Sequence, residues 1–224
     1  MNMEMFSQIV SEREIKRVSV YRLLAWGLAY PTAEKVVKMS TWQETLEQLF
    51  VRSNVSPQSI ATALNLLPQD EADLLKTLQT EYEYLFINDI PELLAPPYAS
   101  AYSHNGDIIK YPARSILEAY RQAEVAFYSE SFELPDHLAV QLEFMHHLGT
   151  ETLNAQYLNR LERVEMLKAF QQKFLYRHLL YWVPTWRIRV AMADRIGFYA
   201  ALAQLIGDWL KSDAHSLGLL PLAD

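Results

Sequence analysis

The chain has 224 residues, half of them hydrophobic, with no cysteine and a formal net charge of −7 at pH 7. That length suits one domain, or two tightly fused halves, with a sizeable core. The missing cysteines exclude disulfides, thiol nucleophiles and thiolate metal sites, while the acidic balance (pI near 5.4) disfavours a general nucleic-acid binder and suits a basic partner.

The N-terminus alternates charges and lacks the apolar core of a secretory signal. The most apolar early run, Val18–Tyr30, contains Arg22 and falls short of the ~18 residues of a membrane span, so the expectation is a cytoplasmic protein with no membrane span. A first helix is expected over about Ser7–Ala29, ending before Pro31, with its apolar residues dense in the second half. Thr41-Trp-Gln-Glu44 has the pattern of a capping box ahead of Leu46, Leu49 and Phe50. Ser56-Pro57 reads as N-cap and first residue of a short helix ending before Pro68. Asp70 reads as the cap of the next, where Leu74, Leu75, Leu78, Tyr82, Leu85 and Phe86 fall at helical spacing.

Between about Asn88 and Pro112 the helical pattern stops for roughly 25 residues, longer than the about 12–15 residues beyond which loops are usually functional or disordered. The pair Pro96-Pro97 lacks two backbone donors and fixes two φ angles, which rules out helix interior and central strand. Ile90, Leu93, Leu94, Tyr98 and Tyr102 give the segment apolar groups to bury. It therefore reads as an ordered loop that either seals the core or presents prolines and aromatics to a partner.

Helical pattern resumes over Ala113–Tyr128, with Ile116, Leu117, Tyr120 and Phe127 on the expected buried side, and breaks again at Ser129–Pro135. Asp136–Gln156 and Leu161–Tyr181 are two further helices. The second stops at Trp182-Val-Pro184, and Thr185 reads as the cap of a last long helix running to about Leu210 before an irregular tail. No hairpin signal or fixed-period repeat is present. The expected fold is all-α, a bundle of about nine or ten helices in two subdomains: 1–128, including the loop 88–112, then a hinge at 129–135, then 136–224.

Few residues carry recognisable chemistry. Glu143-Phe-Met-His146 has the spacing of a dimetal helix, but such sites need the motif twice, so no metal is expected. His178 reads as a buried, hydrogen-bonded histidine near a helix C-terminus. No Gly-x-Ser-x-Gly elbow, phosphate loop or dinucleotide fingerprint occurs among only six glycines, and no cofactor is expected. Asp136-His137 is the polar pair that stands out, at the second break. Capping would explain Asp136 without any function and would leave His137 without a role.

Three stretches together carry a resemblance: Tyr82-x-x-Leu85-Phe86 with Pro96-Pro97-Tyr98-x-Ser100-x-Tyr102; Leu134-Pro135-Asp136-His137-Leu138 running into Leu142-x-Phe144-Met145; and Phe174-x-x-x-His178-Leu179-x-x-Trp182-x-Pro184-x-Trp186. In order and spacing they resemble the TorD/DmsD family of redox-enzyme maturation chaperones, related more distantly to the NarJ group. The resemblance implies a non-catalytic cytoplasmic protein that binds the twin-arginine signal peptide and parts of the body of a molybdopterin-containing oxidoreductase, holding back export until the cofactor is inserted. It also implies an all-helical fold in two subdomains around a hinge, as a monomer or as a dimer formed by subdomain exchange. By motif position the implied peptide-binding residues are Tyr82, Leu85, Phe86, Pro96, Pro97, Tyr98, Tyr102, Asp136 and His137. Tyrosine stands at 82, 98 and 102 where some relatives have tryptophan, and the hinge reads Glu133-Leu134-Pro135 rather than a Glu-Pro pair. Some relatives bind guanine nucleotides, for which this sequence has no motif. The client oxidoreductase is left open.

The physics of the residues agrees with that implication. A basic head followed by an apolar helix suits an apolar groove in acidic surroundings. Two other classes stay in view: a structural subunit using the aromatic loop as a permanent interface, and a small all-α enzyme using Asp136-His137. Adjacent helical residues point about 100° apart, which disfavours the enzyme.

Overall fold

A computed structural model describes residues 3–88, 93–102, 112–125 and 134–219, with side chains from Glu12 onward. Those residues form ten α-helices and no strand, as the hydrophobic periodicity predicts. Among its described side chains, helix α1 (Met3–Leu28) buries Val18, Val20, Tyr21, Leu24, Ala25 and Leu28. It lies along α7 (Leu138–Tyr157), and Gly149 permits the approach. A Cβ at Gly149 would stand 2.5 Å from Val18 Cγ2, closer than two carbon atoms can be.

Polar groups buried beneath α1 are tied together. The Arg17 guanidinium makes a forked pair with Asp213 on α10 (Phe198–Ser216) and donates to Gln171 Oε1 on α8 (Leu161–Phe174) at 2.6 Å. Tyr21 OH donates to Asp213 Oδ2 at 2.6 Å, and Gln171 Nε2 donates to Thr152 Oγ1 on α7 at 2.8 Å. One arginine thus fastens the first helix to two helices of the other half of the sequence and, through Gln171, to a third. The apolar core is correspondingly one cluster, running from Val20 to Ala214.

Helices α2 (Ala33–Val37), α3 (Met39–Phe50), α4 (Gln58–Asn65) and α5 (Glu71–Phe86) follow. Asp70 caps α5 as expected, accepting the N–H groups of Ala72 and Asp73. The capping box at Thr41–Glu44 does not form. Helix α2 runs through the single residue Lys38 into α3, so Trp42 N–H already has the Lys38 carbonyl at 2.9 Å and Thr41 lies inside the helix. Ser56 sits one residue too early to be the N-cap of α4; Pro57 takes that position, and Ser56 Oγ accepts the Gln58 N–H.

Helix α6 (Pro112–Gln122) buries Ile116 and Tyr120 but exposes Leu117, and ends near Glu124, a left-handed residue at φ 59°. Phe127, expected on its buried side, lies outside the described residues. Helix α8 passes into a π-helical segment, Leu175–Leu179, and then into α9 (Val183–Ala193), which has Trp182 rather than Thr185 at its N-cap. The expected last long helix is in fact two. Asp194 accepts the N–H groups of Ile196 and Ala200, and Gly197 adopts φ 80°, so the chain turns there and restarts as α10. The expected irregular tail is helical to Ser216, because Trp209, Leu210, Asp213 and Ala214 all face the core.

Candidate functional site

The loop that follows α5 is anchored from three sides. At its start, Ala95 N–H donates to the Leu85 carbonyl at 3.0 Å, and Trp186 Nε1 on α9 donates to the Ala95 carbonyl at 3.2 Å. At its far end, Tyr98 and His137 form an antiparallel bridge, with Leu138 N–H on the Pro97 carbonyl at 2.8 Å and Ala99 N–H on the Asp136 carbonyl at 3.1 Å. A 3₁₀ turn, Ala99–Tyr102, closes the segment. The described part of the loop, 93–102, is therefore ordered and packed; 89–92 and 103–111 lie outside the described residues, as do 129–133 of the expected hinge.

The nine residues singled out by motif position are brought together, but at different depths. Tyr82, Leu85 and Phe86 are buried on α5, where Phe86 stacks on Trp186 (centroids 6.4 Å) and both Tyr82 and Phe86 meet Tyr199 edge-on. Pro96 and Pro97 are buried in the loop, and Asp136 and His137 are 0% and 1% exposed. Only Tyr98 and Tyr102 are part-exposed. Tyr98 packs edge-on against His137 at 5.1 Å, and Tyr102 stacks on Trp182 at 5.3 Å with the Arg189 guanidinium over its ring.

The expected roles of Asp136 and His137 are exchanged. His137, not Asp136, is the N-cap of α7: its Nδ1 accepts the Ala139 N–H at 3.2 Å. Asp136 Oδ2 instead accepts the Ser100 N–H at 2.9 Å, reaching across to the loop. The correction has a local cause. The helix begins at Leu138, two residues later than the sequence pattern suggests, because His137 stays extended in its bridge with Tyr98 and the Asp136 carbonyl is taken by the Ala99 N–H. Burial pushes the His137 imidazole down to about 3, so it stays neutral and its Nδ1 remains an acceptor. Tyr120 OH donates to the Pro135 carbonyl at 2.8 Å and Gln141 Nε2 to the Asp136 carbonyl at 2.8 Å, completing the frame.

Sequence reasoning missed the contribution of α9. Tyr181, 43% exposed, sets its hydroxyl 3.4 Å from the Ala99 carbonyl; burial, then the Asp136 carboxylate, pushes its phenol up to about 12. Ile188 and Met192 stand 54% and 83% exposed one turn apart on the same helix that holds Arg189 against Tyr102. Ile188 and Met192 carried that signal as apolar residues one turn apart among arginines, and reading one helix through to Leu210 obscured it.

Other candidate chemistry resolves into structure. His146 Nδ1 donates to the Val18 carbonyl at 3.0 Å, and among the described residues no three His, Asp or Glu side chains gather closely enough to hold a metal ion. No helix of the described residues is long and apolar enough to cross a membrane. The site thus offers a part-exposed aromatic rim above a buried, backbone-holding polar frame.

Residues 53–187 match the family described as nitrate reductase delta subunit. The chain is 30% identical over 164 residues to chaperone protein TorD of Vibrio cholerae serotype O1 (strain M66-2), covering 73% of this chain and 72% of that one. It is 34% identical over 184 residues to chaperone protein TorD of Escherichia coli O81 (strain ED1a), covering 79% and 80%. Its fold is similar to that of a protein assigned to redox enzyme maturation in Archaeoglobus fulgidus, with a TM-score of 0.54 at 23% identity over 85% of this chain and 91% of that one.

Proposed function

The chain belongs to the TorD/DmsD family of redox-enzyme maturation chaperones, and from that premise we propose that it is a non-catalytic, cytoplasmic chaperone that binds the twin-arginine signal peptide and the apo form of a molybdopterin-containing oxidoreductase, holding it for cofactor insertion before export. The observation that carries this reading is the aromatic rim. Tyr98 and Tyr102 are held part-exposed, Tyr181 reaches the same loop at the Ala99 carbonyl, and Ile188 and Met192 are exposed on the helix that places Arg189 over Tyr102; large amphipathic rings on a rigid support give contact area at low conformational cost. The apolar segment of a signal peptide would lie on this rim, and the net charge of −7 would favour encounter with its basic head.

In this reading the nine motif residues divide by depth. Tyr98 and Tyr102 touch the peptide. Tyr82, Leu85, Phe86, Pro96, Pro97, Asp136 and His137 hold the rim in place from below. The halves 1–128 and 136–224 act as subdomains about a hinge at 129–135, so exchange between two copies gives a dimer alongside the monomer. Since α1 packs along α7, such an exchange would carry the contact of Val18 with Gly149 from within one chain to between two.

The test is to recover the protein from cell lysate and identify its companion. A precursor oxidoreductase that retains its twin-arginine signal is the expected result. A constant stoichiometric partner without such a signal would favour a structural subunit, and turnover in a substrate screen would favour an enzyme.

A further inference from the structure

A cleft of about 150 Å³ opens between α6 and the junction of α8 with the π-helical segment. None of its lining residues belongs to the proposed peptide site. One wall presents Ser115, Glu118 and Gln122; the other presents Lys173, Arg177 and His178. The Glu118 carboxylate is already engaged, by Arg121 at 2.9 Å and by Gln122 Nε2 at 3.3 Å. Lys173 and Arg177, by contrast, make no ion pair among the described residues, although they stand four apart on one helix, where like charges destabilise each other.

His178 was expected to be buried and hydrogen-bonded. It is buried, 9% exposed and packed on the Phe174 ring at 4.9 Å, but its imidazole makes no hydrogen bond to the described residues. Its ring nitrogens are not among the sealed polar atoms that lack a partner, so they remain open to solvent at the cleft, and π-helical insertions of this kind are frequent at functional sites. Here the wider turn gathers Lys173, Arg177 and His178 on one side of a recess. Burial, reinforced by Arg177 and Lys173, pushes the imidazole down to about 4, leaving it neutral with one N–H to donate. The recess is well below the roughly 300 Å³ of a small-molecule pocket, which limits the guest to about one small group.

We propose that this cleft binds a single oxyanion group, a phosphate or a carboxylate, held by Lys173, Arg177, the Ser115 hydroxyl and the His178 imidazole. An anion there relieves the repulsion between the two cations and gives the imidazole N–H a charged acceptor in place of solvent. Charge-assisted hydrogen bonds of this kind are about twice as strong as neutral ones. The proposal does not rest on the chaperone reading.

Inorganic phosphate and N-acetylglutamate, titrated separately into the full chain in an oxyanion-free buffer, test it, with the His178 ring followed by NMR. A saturable shift of that ring is expected, and the probe that binds more tightly identifies the source of the anion. Lys173→Gln and Arg177→Gln should each weaken binding by about tenfold, whereas Arg160→Gln and Arg163→Gln, which remove arginines outside the cleft, should leave it unchanged. Both substituted cleft residues are exposed, so the variants are expected to stay folded, and circular dichroism checks that. No saturable shift with either anion would overturn the proposal. So would a shift that survives in Lys173→Gln and Arg177→Gln, or one lost equally in the Arg160 and Arg163 variants.

Discussion

Ser100 donates its backbone N–H to the buried Asp136 carboxylate at 2.9 Å, and the preceding amide, Ala99, donates to the Asp136 carbonyl at 3.1 Å. One residue at the start of α7 therefore holds two consecutive amides of the aromatic loop. Asp136→Ala should leave the Ser100 N–H without its acceptor and cost about 1–3 kcal/mol of stability. If Asp136 acts by holding the loop, peptide affinity should also fall, and by the same factor at low and high salt. A loss that shrinks in high salt would instead mark an exposed charge contact and contradict the buried position.

His137 makes stability sensitive to acid. Its folded-state pKa is lowered to about 3 from an ordinary value near 6.5, so the unfolded chain binds the extra proton first. The stability it contributes is complete above about pH 6.5 and is lost as pH falls towards 3, by a few kcal/mol. Protonation would also convert Nδ1 from acceptor to donor and break the cap on Ala139. His137→Asn retains a cap acceptor without the titration. Urea unfolding from pH 7 to pH 4 should show a shallower loss for that variant; an unchanged slope would mean that His137 is not the group responsible.

Much of this arrangement was legible beforehand, and the reasons for the rest are specific. Helices α1, α5 and α7 follow from apolar spacing, and Asp70 from a local cap. The roles of Asp136 and His137 were not legible, because the helix start is fixed by the bridge of His137 with Tyr98, 39 positions earlier in a different part of the chain. Nor was the break at Asp194–Gly197, where a side-chain carboxylate captures the N–H of Ile196 in the turn and that of Ala200 in the first turn of α10. The fold class survives such errors because burial periodicity is averaged over whole helices. The site does not, because depth decides which motif residue can touch a partner, and depth is a tertiary property.

Gly149→Ala should destabilise the contact between α1 and α7. The added methyl would meet Val18 Cγ2 at 2.5 Å, and overpacking a close helix contact costs about 1–3 kcal/mol. Val18→Ala alone should lose stability as a core truncation, but combined with Gly149→Ala it should recover part of the loss. A double-mutant cycle with no coupling would show that the two helices do not meet there.

The buried arginine should behave as half of a pair. Arg17→Met strands the Asp213 carboxylate, which is fully enclosed, and should cost about 3–5 kcal/mol. Replacing both, as Arg17→Met with Asp213→Leu, should recover much of that loss, although Tyr21 and Gln171 also lose partners. Thermal unfolding of the two variants decides the matter: a double variant as unstable as Arg17→Met alone would show that the neighbouring hydrogen bonds, and not the ion pair, hold α1 in place.

Peptide binding should separate the motif residues by depth. Tyr82→Ala removes a ring packed against Phe86 and Tyr199, and the truncation should cost about 3–5 kcal/mol of stability. Any loss of binding in that variant should track loss of fold. Tyr102→Ala removes a part-exposed ring that stacks on Trp182, so its main effect should fall on affinity, about 2 kcal/mol or roughly 30-fold if it anchors the peptide. Met192→Ser tests whether the exposed face of α9 takes part. Met192 is 83% exposed, so stability should hardly change, within about 0.5 kcal/mol, while affinity for an apolar peptide should drop. A labelled twin-arginine peptide titrated against each folded variant reads the two effects apart, with urea midpoints measured in parallel. If Tyr102→Ala and Met192→Ser both bind like the parent, the peptide does not lie on this rim, and the buried motif residues serve the fold alone.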